Sequence, residues 1–172
     1  MEKEFYSTGK SLELNLVLEE ALWQGDIDGI NKDLDALVSS LEDFQLHSLK
    51  NEQKFILNIR LCDEKEIIQL NSEHRNKNKK TDVLSFPLQD NIRVGEYDAF
   101  HGEIELGDII ICSEVCVEQA QEFKLSFEEE FYHLLVHGYL HLCGYDHEIS
   151  EAEEKIMEEL EEKILLDFKK KR

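Results

Sequence analysis

The sequence predicts an α+β fold: a single domain, residues 1–172, with a small four-stranded mixed sheet packed against about five helices. Three observations predict it. Short stretches of apolar residues alternate with period two, longer stretches repeat with the helical period between and after them, and no repeat, linker or low-complexity run divides the chain. A length of 172 residues suits one domain with a real core and is too short for two comfortable ones.

The elements follow in order. "LELNLVL", with Leu12, Leu14, Leu16 and Leu18 in alternation, predicts a half-buried strand. The turn-forming "GDIDG" then opens a helix carrying Ile30, Leu34, Leu37, Val38 and Leu41 at helical spacing. "KFILNIRLC" predicts a second strand with Phe55, Leu57, Ile59 and Leu61 on one face, which puts Arg60 on the other beside Asn58 and Cys62. "DEKEIIQLNSEHR" predicts a short helix. "TDVLSFPL" predicts a third strand, which Pro87 ends or confines to a sheet edge. Residues 88–103 read as an exposed loop. "EIELGDIIIC" predicts the fourth strand, with Gly107 at a bulge or bend. Two helices follow, "SEVCVEQAQEF" and "SFEEEFYHLLVHGYLHLC", the latter opened by Ser126 and Glu129 in a capping-box pattern. The last helix is expected from about Ile149 to Phe168.

Composition narrows the function. No apolar run approaches the roughly 20 residues of a membrane span, and the start "MEKEFYSTGK" has no hydrophobic signal region, so a cytoplasmic protein with no membrane partner is expected. Cys62, Cys112, Cys116 and Cys143 lie in apolar segments without a C-x-x-C pair and are expected as reduced, buried thiols. A net charge of −20 repels a polyanion and argues against nonspecific nucleic-acid binding. Two basic islands remain, "HRNKNKK" at 74–80 and "KKKR" at 169–172. Taken alone they read as a solvated loop and a frayed tail.

The densest chemical signal is "HGYLHLCGYDH", from His137 to His147. Residues four apart on a helix share a face, so His137 and His141 can hold one ion. Gly144 stands where a left-handed residue would end the helix, letting the chain reverse and return His147. Three protein ligands are the mark of a catalytic zinc site, whereas a structural site is normally closed by four. His133 cannot share an ion with His141, because eight residues of helix span roughly 12 Å. It is expected as a packing residue or a neighbour of the ligands.

The spacing is that of a long zinc-peptidase motif, except that Gly138 replaces the glutamate which takes a proton from the metal-bound water. A phosphodiester makes a different demand, neutralisation of its oxygens, which a metal and an arginine can meet. The glycine therefore disfavours peptide cleavage and favours a phosphate ester.

"HGYLHLCGYDH", with "TDVLSFP" at 81–87, "LGDIII" at 106–111 and the "IR" of the second strand, resembles the YbeY family of bacterial metal-dependent endoribonucleases. The resemblance covers roughly residues 50–165 and leaves the first 50 largely unexplained. It implies a single-strand-specific endoribonuclease acting in ribosomal RNA processing, 16S 3′-end maturation and ribosome quality control. It implies one Zn2+, or another divalent transition metal, held by His137, His141 and His147, and an arginine near the metal matching Arg60 as the catalytic residue. Arg75, closing "NSEHR", is implied as a second phosphate contact. The partners implied are ribosomal RNA and the small ribosomal subunit or its proteins, with no role for DNA. The acidic charge suggests that docking on a ribosomal particle supplies much of the affinity.

Bland alternatives stay open at several positions. Arg60 could pair with a carboxylate, Asp146 could orient a histidine or cap a turn, and Ser85 lacks the elbow motif of a nucleophile. Two whole-protein rivals also remain: a non-catalytic ribosome assembly factor with a structural metal, and another zinc hydrolase such as a peptidase.

Overall fold

Every second residue of the first expected strand is driven out of water. In the computed structural model, which describes residues 1–44, 53–90 and 92–172, Leu12, Leu14, Leu16 and Leu18 are all buried. They lie on β2 (Leu12–Glu19), which pairs antiparallel with β1 (Glu2–Thr8) and parallel with β3 (Lys54–Cys62). β3 runs parallel to β5 (Glu103–Cys112), and β4 (Val83–Pro87) closes the far edge antiparallel to β5. The sheet is therefore mixed, with five strands in the order β1-β2-β3-β5-β4. The strand beyond the expected four is β1. It has no apolar alternation of its own, and its backbone is recruited by pairing with β2 from Glu2↔Glu19 to Thr8↔Glu13. Its mixed glutamates and lysine suit an edge that must not template further pairing.

The helices are α1 (Ile30–Asp43), α2 (Glu64–Arg75), α3 (Ser113–Phe123), α4 (Phe127–Leu142) and α5 (Glu151–Lys171). One face of the sheet carries the main core, in which Leu57, Ile59, Leu61, Ile109 and Ile111 meet Leu34 and Leu37 of α1, Leu135 of α4 and Ile164 of α5. The opposite face carries a small cluster, Cys62, Ile67, Leu84, Cys112 and Val115, beneath α2. Burial of this kind contributes about 25 cal/mol per Å² of apolar surface, so the α1–α4–α5 face holds most of the fold's stability.

Three local expectations have clear physical outcomes. The register of β3 against β5 jumps from Ile56↔Glu105 to Leu57↔Gly107, so Leu106 is the extra residue of a bulge. Gly107 sits there at φ +134°, and a Cβ would lie 2.1 Å from the carbonyl oxygen of Phe86. Pro87 ends β4 on the sheet edge, where no ladder donor is needed. Ser126 and Glu129 form the capping box of α4 reciprocally.

Two exposed segments are more ordered than their composition suggests. Within 88–103, where residue 91 lies outside the described residues, a short 3-10 turn (Ile92–Val94) buries Ile92. Arg93 is anchored there by Glu153 of α5 at 2.5 Å and stacks 4.3 Å from the centre of the Tyr145 ring. The basic tail is docked rather than frayed: Lys171 pairs with Asp43, and Arg172 Nε donates to Asp33 Oδ1 at 2.9 Å. The four cysteines are free and buried, and burial pushes the Cys143 thiol up to about 12. No helix among the described residues is long and apolar enough to cross a membrane.

Candidate metal centre

α4 presents its histidines because its polar positions are spaced along one stripe between buried ones. His137 and His141 are four apart, with their Nε2 atoms 3.1 Å from each other. The helix then stops in a Schellman arrangement. Gly144 adopts φ +91°, its N–H donates to the His141 carbonyl, and the Tyr145 N–H donates to the Leu140 carbonyl, both at 3.0 Å. That reversal returns His147, whose ring centre lies 5.3 Å from that of His137 and 5.1 Å from that of His141. One ring nitrogen from each of the three falls within 4.8 Å of the others. Among the described residues no fourth histidine, cysteine or carboxylate joins this set.

The donor chemistry fits a borderline-soft divalent ion such as zinc, which takes imidazole nitrogens readily. Two imidazole nitrogens 3.1 Å apart, each with a lone pair in its neutral ligand form, also gain from a cation between them. Burial, followed by the neighbouring charges of His137 and His147, lowers the His141 pKa and favours that neutral form.

Behind the three histidines stands a residue the sequence did not single out. Glu161 of α5 accepts from His137 Nδ1 at 2.9 Å and from His133 Nε2 at 2.8 Å, one carboxylate oxygen to each ring. His133 in turn donates through Nδ1 to Glu130, 3.3 Å away and only 1 % exposed. Hydrogen bonds to Glu130 and then Glu161 push the His133 pKa up to about 10, so its ring is an imidazolium. Burial raises the Glu161 carboxyl, but the bonds from His133 and His137 outweigh it and bring it down to about 2. A signal for Glu161 was present in the sequence. It falls in the stripe Met157, Glu161, Ile164, Phe168, whose other three members are buried core residues, and a charge at such a position calls for a partner. It was hidden because its helix is acidic throughout.

Gly138 explains the missing glutamate geometrically. A Cβ there would stand 2.9 Å from Ile109 Cγ2 and 3.1 Å from Ser85 Oγ, so position 138 faces the sheet and not the histidines. Ser85 Oγ donates to the Gly138 carbonyl at 3.5 Å, which gives Ser85 a structural partner. Gly138→Ala is expected to lose about 1–3 kcal/mol to overpacking, partly offset by about 1 kcal/mol of helix propensity. Gly138→Glu, which forces a charge against Ile109, should lose about 4 kcal/mol or more and gain no peptidase activity. Thermal melts and peptide assays of both variants check this; a Gly138→Glu protein as stable as wild type would show that the helix does not need the close approach.

Asp146 caps a turn, its Oδ1 accepting from the Glu148 N–H at 2.9 Å. Asp82, just before β4, accepts from Val83 N–H and from Gln119 Nε2. A cavity of about 310 Å3 opens beside the centre, lined by Asp82, Phe123, His133, His137, His147 and Glu161 among others.

The two arginines are placed differently, and neither joins the histidine set. Arg60 pairs with Ile110 across the ladder, on the sheet face opposite Ile59 and Ile109, which pack toward α4. Its Nη2 reaches the Glu66 carboxylate of α2 at 3.1 and 3.2 Å. The structure thus sets the sheet between Arg60 and the histidines that it was expected to accompany. Arg75 ends α2, exposed, next to His74, whose ring lies 4.9 Å from Phe86 of β4. β4 is the edge strand that carries Ser85 against Gly138.

The family model described as Endoribonuclease YbeY matches residues 23–169. The chain belongs to the endoribonuclease YbeY family. It is 42% identical over 125 residues to the endoribonuclease YbeY of Fusobacterium nucleatum, covering 72% of this chain and 73% of that one. To that of Caldicellulosiruptor bescii it is 39% identical over 140 residues, covering 77% and 88%. To the Clostridium botulinum protein of the same name it is 35% identical over 151 residues, covering 81% and 90%. Among solved structures, the solution structure of TM1509 from Thermotoga maritima aligns with a TM-score of 0.55 at 30% identity, covering 90% of this chain and 88% of that one. The match to the YbeY family begins at residue 23, so β1 and β2 lie ahead of it.

Proposed function

We propose that this chain is a single-strand-specific, zinc-dependent endoribonuclease that processes ribosomal RNA in the cytoplasm, acting in 16S 3′-end maturation and ribosome quality control. The observation that carries the reading is the convergence of His137, His141 and His147 in a member of the endoribonuclease YbeY family. Three histidines with no fourth ligand among the described residues favour a working ion over a bracing one, and Gly138 turned to the sheet disfavours a peptidase. The proposed partners are RNA and the small ribosomal subunit.

When bound by the three histidines, a divalent ion would supply Lewis acidity for a phosphodiester oxygen and would acidify a water molecule to near neutral pH. The chain's own contributions are orientation and charge. His137 donates its Nδ1 proton to Glu161, which leaves the Nε2 lone pair facing His141. The substrate phosphate requires a cation outside the ligand set. Of the two candidates we assign Arg75, because its neighbour His74 packs on Phe86 of the edge strand β4 and Arg75 has no ion pair among the described residues, whereas Arg60 is engaged by Glu66. Lys77 and Lys79 follow Arg75 and are also without an ion pair among the described residues, while Lys80 is held by Glu64 and Glu118. The net charge of −20 makes this basic edge the side from which RNA approaches.

One tightly bound divalent ion per chain is expected. Elemental analysis of protein purified without chelator checks it, and two ions per chain would require ligands outside the histidine set. The function itself is tested by cleavage of a ribosomal RNA precursor with wild-type protein and His137→Ala, bound metal being quantified in both. RNA cleavage that persists undiminished in metal-free His137→Ala would defeat the reading.

A further inference from the structure

We propose that Glu161 is the positioning residue of the histidine centre, held in place by His133, so that Glu130, His133, Glu161 and His137 form one rail of alternating carboxylates and imidazoles. The inference rests on the metal-centre reading above and concerns residues outside the ligand set.

The rail has a direction. It starts at Glu130, a carboxylate 1 % exposed inside α4, and passes to His133 at 3.3 Å. It crosses to α5 through Glu161 at 2.8 Å and ends on His137 Nδ1 at 2.9 Å. Glu130, His133 and His137 are spaced three and four apart on α4, so they stand in one stripe facing α5.

Packing alone does not call for such a rail. Met157, Ile164 and Phe168 show that apolar side chains satisfy the neighbouring positions of the α5 stripe. Charged groups buried in their place are tolerated only when paired, and a side chain of similar volume without charge is often as stable. The pairing here is specific to the ligand. Each Glu161 oxygen accepts from a different imidazole, which fixes both the rotation of the carboxylate and the ring of His137. An imidazole whose Nδ1–H is held by a carboxylate must present Nε2 to an ion, and the carboxylate makes that nitrogen a stronger donor. His133 Nε2 holds the second Glu161 oxygen at 2.8 Å, so the carboxylate, only 17 % exposed, is fixed from both sides. Without His133 the carboxylate could turn away from His137.

The test uses the full-length protein, with Zn2+ as the probe, competed against a chelator of known affinity. Removing the partner that orients a metal ligand typically weakens binding by roughly 10–100-fold. That loss is expected for Glu161→Ala. Glu161→Gln should fall in between, since one amide oxygen cannot accept from both rings. His133→Gln, acting through Glu161, should lose less than either. A second readout needs no metal: in 15N-labelled, zinc-free protein His137 should carry its proton on Nδ1, and Glu161→Ala should move it toward Nε2. A merely structural glutamate would change the melting temperature and leave this tautomer alone. If Glu161→Ala fails to fold, the nearly isosteric Glu161→Gln carries both measurements. Wild-type affinity together with an unmoved tautomer in Glu161→Gln overturns the rail and leaves the metal centre standing. Failure of the wild-type protein to bind Zn2+ in the same titration removes the metal centre and the rail together.

Discussion

Replacing His141 with alanine is expected to strip the protein of its metal and to abolish measurable cleavage of a ribosomal RNA precursor. Its Nε2 lies 3.1 Å from that of His137, so its loss removes a near member of a three-ligand set. Two remaining imidazoles cannot hold a divalent ion against water at ordinary concentrations, because each ligand lost leaves another coordination position to solvent. An ion that stabilises the developing charge by several kcal/mol then contributes nothing, and at about 1.4 kcal/mol per factor of ten the rate should fall by on the order of 10³ or more. His133→Ala provides the contrast. Its ring nitrogens are committed to Glu130 and Glu161 and not to the set, so this variant should keep most of its metal. Metal lost in His133→Ala and kept in His141→Ala would mean that α4 holds its ion through His133 and His137. Metal content and melting temperature separate these outcomes from simple unfolding.

How much of this was legible in the sequence depends on which physical rule each part obeys. The strands β2 to β5 were legible because burial on one face imposes a period of two, and the leucines of β2 report it directly. β1 was not, because an edge strand with both faces largely open has no such pattern and owes its place to backbone pairing. The three histidines were legible because helix pitch and a glycine stop are local rules, and the chain obeys both at Gly144. Glu161 was not, because its partner lies 24 residues earlier and nothing local distinguishes it from the surrounding acids. Arg60 shows a subtler limit. Alternation correctly put it on the face away from Phe55, Leu57, Ile59 and Leu61, all buried. Alternation gives only parity, however, and cannot say which face of the sheet receives α4. The packing of Gly138 on Ile109 puts α4 on the face away from Arg60.

That placement yields the sharpest disagreement between two arginines. Arg75→Ala is expected to reduce RNA cleavage by on the order of 10²–10³, the usual loss when one charge-stabilising donor is removed. Arg60→Ala should leave cleavage within a few-fold of wild type. Its side chain, 53% exposed, pairs with a Glu66 carboxylate on the far face of the sheet, and such surface pairs are worth about 1 kcal/mol or less. Arg75→Lys tests the mode of contact, since lysine keeps the charge but loses the forked pair of donors that fits a phosphate. Its cleavage should fall between wild type and Arg75→Ala. Metal content should stay at the wild-type value in all of them, because neither arginine touches His137, His141 or His147. Melting temperature should also hold in the Arg75 variants, as that side chain is exposed at the end of α2. The opposite pattern, with cleavage lost in Arg60→Ala and normal in Arg75→Ala, would place the RNA at the Arg60–Glu66 pair and not at the C-terminal end of α2. The sheet would then have to transmit the effect to the histidines, and Glu66→Gln, which frees Arg60, should alter cleavage as well.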